Sequence, residues 1–104
     1  MNSKANRIFG AFTLVAAFSS ATVASAYTGE ELAPQAKVKL ERARAIALKA
    51  RAGQITDQEL EKEKGGSGLR YSFDIKNGKV TYEVGIDAVT GKVLENAKEG
   101  ANPD

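Results

Sequence analysis

Residues Leu69–Leu94 read LRYSFDIKNGKVTYEVGIDAVTGKVL, and this stretch decides the fold. Leu69, Tyr71, Phe73 and Ile75 alternate with Arg70, Ser72, Asp74 and Lys76. After Asn77-Gly78 the alternation resumes, with Val80, Tyr82, Val84 and Ile86 against Thr81, Glu83, Gly85 and Asp87. A period of two, held twice, predicts two half-buried strands with one apolar face each. Asn77-Gly78 suits a two-residue turn with positive φ at both central positions. A hairpin with one apolar face is unstable while that face is wet, so the chain must supply a cover.

The cover lies upstream. Gln35–Ala52 (QAKVKLERARAIALKARA) places Ala36, Leu40, Ala43, Ile46, Ala47 and Ala50 on one face at 100° per residue. Most of these side chains are small, so the helix can lie close on a sheet. Gly53 is a natural stop, and Lys49 and Arg51 favour the negative end of the helix dipole. Gln54–Lys64 (QITDQELEKEK) has helical local propensity, but a hairpin and one helix make a poor domain. We read it as an irregular edge strand. Ile55 and Leu60 have opposite parity along it, which predicts a bulge. Gly65-Gly66-Ser67-Gly68 reads as a flexible connector, and Asp87–Lys92 as a turn in which Asp87 accepts backbone N–H bonds and Gly91 takes a left-handed position. Thr90 lies within that turn. Lys92–Glu95 then forms a short last strand. The predicted class is α+β: one amphipathic helix on a small antiparallel sheet of three to four strands, in the order α-β-β-β.

The ends of the chain read differently. Lys4 and Arg7, the apolar run Ile8–Phe18 and the small residues Ala24-Ser25-Ala26 have the pattern of a secretory signal peptide over residues 1–26, cut near Ala26. The apolar run is too short for a membrane span, which takes about 20 residues. Residues 27–35 are expected to be a flexible lead-in, residues 36–95 the domain, and residues 96–104 a disordered tail. The expected product is periplasmic or secreted, with no stable membrane insertion.

Composition narrows the chemistry. Lys4 and Arg7 account for the whole excess of 15 basic over 13 acidic residues, so the exported portion is neutral. Neutrality and export together disfavour nucleic acid as a partner. With no Cys and no His, thiol catalysis, thiolate metal sites and the commonest general base are excluded. Asp57, Glu59, Glu61 and Glu63 are interleaved with Gln58, Lys62 and Lys64, a uniformly wet pattern unsuited to catalytic carboxylates, which need dissimilar environments. A strand would space these acids without the looped carbonyls calcium sites use. No catalytic residue, metal ligand or cofactor is assigned.

The helix, the Gly stop, the acidic strand, the aromatic strand and then Tyr82-Glu83-Val84 with Asp87-Ala88-Val89-Thr90-Gly91-Lys92-Val93-Leu94 together resemble the PepSY domain, over about Ala36 to Glu95. The resemblance implies the α-β-β-β arrangement and supports a strand at Gln54–Lys64. PepSY-like units occur in propeptides of thermolysin-type metallopeptidases and in exported bacterial proteins, and are proposed to restrain peptidases. The stretch resembles the module alone with no peptidase beside it, so any restraint is expected to act in trans. The expectation is a non-enzymatic module that binds a peptidase or an envelope sensor protein. Lys39 and Arg42 on the basic helix, and Glu59 and Glu61 on the acidic strand, are the candidate contact residues. The alternatives are a self-associating structural protein of the envelope, such as a homodimer, and a weak metal binder.

Overall fold

A computed structural model describes residues 26–100. The signal-peptide reading and the last residues of the expected tail lie outside the described residues. Helix α1 spans Leu40–Ala50. It is followed by β1 (Gln54–Lys62), β2 (Leu69–Asn77), β3 (Val80–Asp87) and β4 (Val93–Lys98), which form one antiparallel sheet in the order β1-β2-β3-β4. One helix on a four-stranded antiparallel sheet is the α+β architecture expected from the alternating stretch.

The core is the apolar face of the hairpin. Leu69, Tyr71, Phe73 and Ile75 of β2 are buried, as are Val84 and Ile86 of β3. Ala43 and Ala47 seal them from the helix, each fully inaccessible. Small residues at these positions let the helix backbone approach the sheet closely. The bulge also appears where parity fails: the register shifts between Ile55 and Asp57, so Ile55 pairs with Ile75 and Leu60 with Tyr71. One extra residue thereby brings both apolar side chains of β1 to the helix side.

Several local expectations are corrected. The helix expected from Gln35 begins only at Leu40, because its first turn is diverted. Lys37 and Val38 both donate their N–H groups to the Ala88 carbonyl, at 2.9 Å each, and the Tyr71 hydroxyl donates to the Val38 carbonyl at 2.7 Å. Ala36 therefore packs on the core from an extended strap. Gly53 does not terminate the helix in a left-handed cap. Its φ is +148°, and a Cβ there would lie 2.5 Å from the Lys76 carbonyl oxygen, so the position needs glycine for close approach.

The hairpin turn is displaced by one residue. Asn77 pairs with Val80, leaving Gly78 and Lys79 in the turn with Gly78 leading at φ +66°. Asn77 instead directs its side-chain amide to the Ala52 carbonyl at 2.9 Å, which fixes it as a strand residue. Tyr82 is half-buried rather than buried, with the Arg51 guanidinium 3.8 Å above its ring. The last strand continues to Lys98, so Asn96, Ala97 and Lys98 belong to β4 and not to the tail.

The lead-in is built into the domain. Glu30–Gln35 forms a 3-10 turn, and Leu32 and Ala33 pack against the core. Thr28 pairs in parallel with Glu59 on the outer edge of β1, accepting the Leu60 N–H at 2.9 Å. Gly29, at φ +86°, makes this possible: a Cβ there would fall 1.7 Å from the Leu60 carbonyl oxygen. Any other residue would push the segment off the edge.

Candidate functional site

The most distinctive sequence, Asp87–Gly91, is a structural knot. Asp87 is 1% exposed. Its Oδ1 accepts the backbone N–H groups of Val89 (2.8 Å) and Thr90 (3.0 Å) and the Ser67 hydroxyl (2.8 Å). Its Oδ2 accepts the Ser67 backbone N–H at 2.7 Å. Burial alone would raise the carboxyl's pKa, but these donors from Ser67, Val89 and Thr90 favour the ionised form and hold it at about 2. Gly91 follows at φ +82°, its N–H bonded to the Asp87 carbonyl, and the Thr90 hydroxyl accepts the Lys92 N–H. Ala88, the next residue, accepts from Lys37 and Val38 and donates to the Leu69 carbonyl. Through two adjacent residues the turn ties together the β1–β2 connection, the start of β2 and the strap leading into the helix.

The Gly65–Gly68 connector is accordingly held in place and is not a free linker. A Cβ on Gly66 would lie 2.2 Å from Asp87 Oδ2, which accounts for a glycine at that point. The Asp87 side chain is satisfied by the fold itself and is inaccessible, so it offers nothing to a ligand.

The helix covers one face of the sheet, and the other face is where exposed chemistry collects. Alternation along the paired strands sends Asp57, Glu59 and Glu61 of β1, Asp74 of β2, Glu83 of β3 and Glu95 of β4 to the helix-free side. Register sets Asp57 directly across from Asp74, and Asp74 directly across from Glu83. Facing like charges on adjacent strands destabilise a sheet by about 0.2–1 kcal/mol per pair. Burial and neighbouring charge both act on these carboxyls. Burial, then the charges of Glu61, Asp57 and Asp74, push the Glu59 pKa up. Burial, then Glu99 and Asp57, do the same to Asp74.

Small residues floor this face. Ser72 and Gly85 are buried between the acids, and Ser72 donates its hydroxyl to Glu61 at 2.7 Å. Arg70 lies flat across β3 to reach Glu95 at 3.3 Å, and a Cβ on Gly85 would press on its Cδ at 3.0 Å. That explains the glycine in the middle of a strand. The Arg70 guanidinium also donates to the Lys64 carbonyl, so the face's best-placed cation is committed to its own fold.

The candidate contact residues do not converge on one surface. Glu59 and Glu61 stand on the helix-free face, both half-buried, while Lys39 and Arg42 are exposed on the helix side. The basic helix is also less free than its composition suggests. Arg44 bonds the Gln58 side chain, and Arg51 both covers Tyr82 and donates to Asn96 at 3.0 Å. A groove of about 600 Å³ runs beside the β1 edge, lined by Tyr27, Thr28, Arg44, Ile55 and Asp57 among others. It is open to solvent and its arginine is already paired.

Among the described residues, no group of three or more acids converges in a way that could hold a metal ion. The acids are spread over four strands, each at its own register position. No helix among the described residues is long and apolar enough to cross a membrane.

The overlooked contributions share a cause: Ser67, Gly29 and Arg70 act across long sequence separations. Only the glycines gave a local signal, and that signal does not say which atom approaches.

Residues 37–96, more than half of the chain, match the family model described as PepSY, peptidase propeptide and YPEB domain. Neither a curated protein nor a solved structure matches the chain. The matched interval begins in the strap that bonds Ala88 and ends in β4, so it contains the helix, nearly all of the sheet and the Asp87 knot. The chain belongs to the PepSY family.

Proposed function

We propose that this protein is an exported, non-enzymatic binding module that restrains a peptidase or modulates an envelope sensor in trans. It meets its partner through the helix-free face of the sheet. The observation that supports this reading is the facing pair Asp57 and Asp74 on adjacent strands, with Glu59 and Glu61 beside it on the same face. Like charges set across adjacent strands break a local rule of sheet pairing, and such breaks point to a surface shaped for something else. A partner presenting Lys or Arg would relieve the repulsion and gain charge-assisted hydrogen bonds on binding. Family membership supports a peptidase as the partner class. The unengaged cations Lys39 and Arg42 on the opposite side would then steer or contact a second element of the assembly.

The test is affinity capture from an envelope extract with the exported protein as bait, followed by assay of any captured peptidase with and without the bait. The expected result is saturable capture and lowered peptidase activity, both reduced about tenfold or more by Asp57→Asn with Glu59→Gln. Retention of binding by that variant, and by Lys39→Ala with Arg42→Ala, would overturn the electrostatic reading. Capture of a peptidase whose activity is unchanged would overturn the restraint.

A further inference from the structure

We propose that β4 pairs with β4 of a second copy of this chain, antiparallel and centred on Asn96, to make one continuous sheet across two domains. The two edges of the sheet are treated differently. Thr28 occupies the outer edge of β1 and accepts the Leu60 N–H. No strand pairs with the outer edge of β4 among the described residues. Glu99 donates its N–H inward to the Thr81 carbonyl. By the alternation of antiparallel ladders, Ala97 and Glu95 also bond inward, and Asn96 and Lys98 present their N–H and C=O groups outward. Such an edge is a template for another strand. Its safeguards are limited to a short regular part, Glu95–Lys98, with one lysine, and an irregularity at Leu94, and the strand contains no proline. The exposed large hydrophobic side chain among the described residues, Val93, also sits on this strand, at 39%.

A second copy can meet this edge without facing like charges, and charge selects the register in which it does so. Centring a symmetric pair on Glu95 would set Glu95 against its own copy, and centring it on Lys98 would do the same to Lys98. Centring on Ala97 would set Glu95 against Glu99. Centring on Asn96 instead sets Glu95 against Ala97 and Asn96 against Asn96, with Lys98 against Leu94. It is the one of these four registers in which no like charges face each other, and it makes Asn96 an outward hydrogen-bonded pair with its own copy. Because the contact is isologous, it closes at two copies. It leaves the acidic face of each domain uncovered, so it goes beyond the binding reading above and does not depend on it.

One strand pair buries far less than the roughly 1,200 Å² of a durable interface, so the dimer is weak, forming on the order of 100 µM. Sedimentation of the exported protein across a concentration series tests this, with substitutions at exposed Ala97, which faces Glu95 twice in the dimer. Ala97→Glu should weaken association about five- to tenfold, and Ala97→Lys should tighten it by a similar factor. Asp57→Asn, remote from β4, should leave it unchanged. A protein that stays monomeric throughout the series would overturn the proposal. So would a dimer indifferent to both Ala97 substitutions or weakened equally by each.

Discussion

Replacing Asp87 by Asn tests whether the Asp87–Gly91 turn is a structural knot. The substitution keeps the size of the side chain and one acceptor oxygen, which can still serve Val89 and Thr90. The other oxygen becomes an amide donor facing the Ser67 N–H, which now bonds Oδ2 at 2.7 Å. Two donors would then meet in a site that is 1% exposed. Losing a charge-assisted bond and stranding a buried donor should cost about 2–4 kcal/mol. For a domain of this size that is a large share of the roughly 5 kcal/mol available. The same residue leaves a signature in pH. Its folded pKa is about 2 against an ordinary 3.8, so its stabilisation is present above the ordinary value and lost as pH falls through the folded one. The difference corresponds to about 2.5 kcal/mol. Urea unfolding of both proteins between pH 7 and pH 2 is the assay. The parent should lose its advantage over Asp87→Asn between about pH 4 and pH 2. Equal unfolding midpoints at pH 7, or a gap that stays constant through that window, would refute the reasoning.

Other outcomes follow from the same contacts. Phe73 is fully buried, so Phe73→Ala should cost about 3–5 kcal/mol, read from the urea midpoint. Gly29→Ala should displace the edge segment from Leu60, seen as loss of hydrogen-exchange protection at the Leu60 amide while the amides of β2 and β3 stay protected. Asp74→Asn should stabilise the domain at pH 7 by about 0.2–1 kcal/mol, because it removes a carboxylate facing Asp57. The raised pKa values of Glu59 and Asp74 carry the opposite sign from Asp87. Their contribution is fully present below the unfolded carboxyl values and is lost as pH rises through the folded ones, so stability should peak at mildly acidic pH.

The hairpin was legible because period-two alternation over two long strands predicts one core face, and Leu69, Tyr71, Phe73, Ile75, Val84 and Ile86 are buried on it. Tyr82 is only half-buried, however, and Ser72, Gly85 and Asp87 are buried on the opposite parity. The bulge in β1 could be read from the parity of Ile55 and Leu60 alone. Helix propensity, by contrast, overran the start of α1 by five residues, since nothing local reveals that Lys37 and Val38 donate to Ala88, fifty residues away. The turn shift at Asn77 has the same origin, a side-chain bond to Ala52 that competes with the Asn-Gly turn preference. The lead-in, read as flexible from its place ahead of the domain, is instead held where Gly29 permits contact with Leu60. For the candidate surface, the acids of β1 were visible as a run. Their alignment with Asp74 and Glu83 depended on register, which no single strand encodes. The separation of Lys39 and Arg42 from Glu59 and Glu61 likewise depended on which side of the sheet the helix covers.

The central claim is that the helix-free acidic face meets a protein partner in the envelope. A photo-activatable residue placed at Glu59, and in a parallel strain at Arg42, reports on each face in living cells. The account predicts a discrete crosslinked partner from position 59, lost when Asp57 is also changed to Asn, and a weaker product or none from position 42. Crosslinking from position 42 alone, or from neither position, would contradict it.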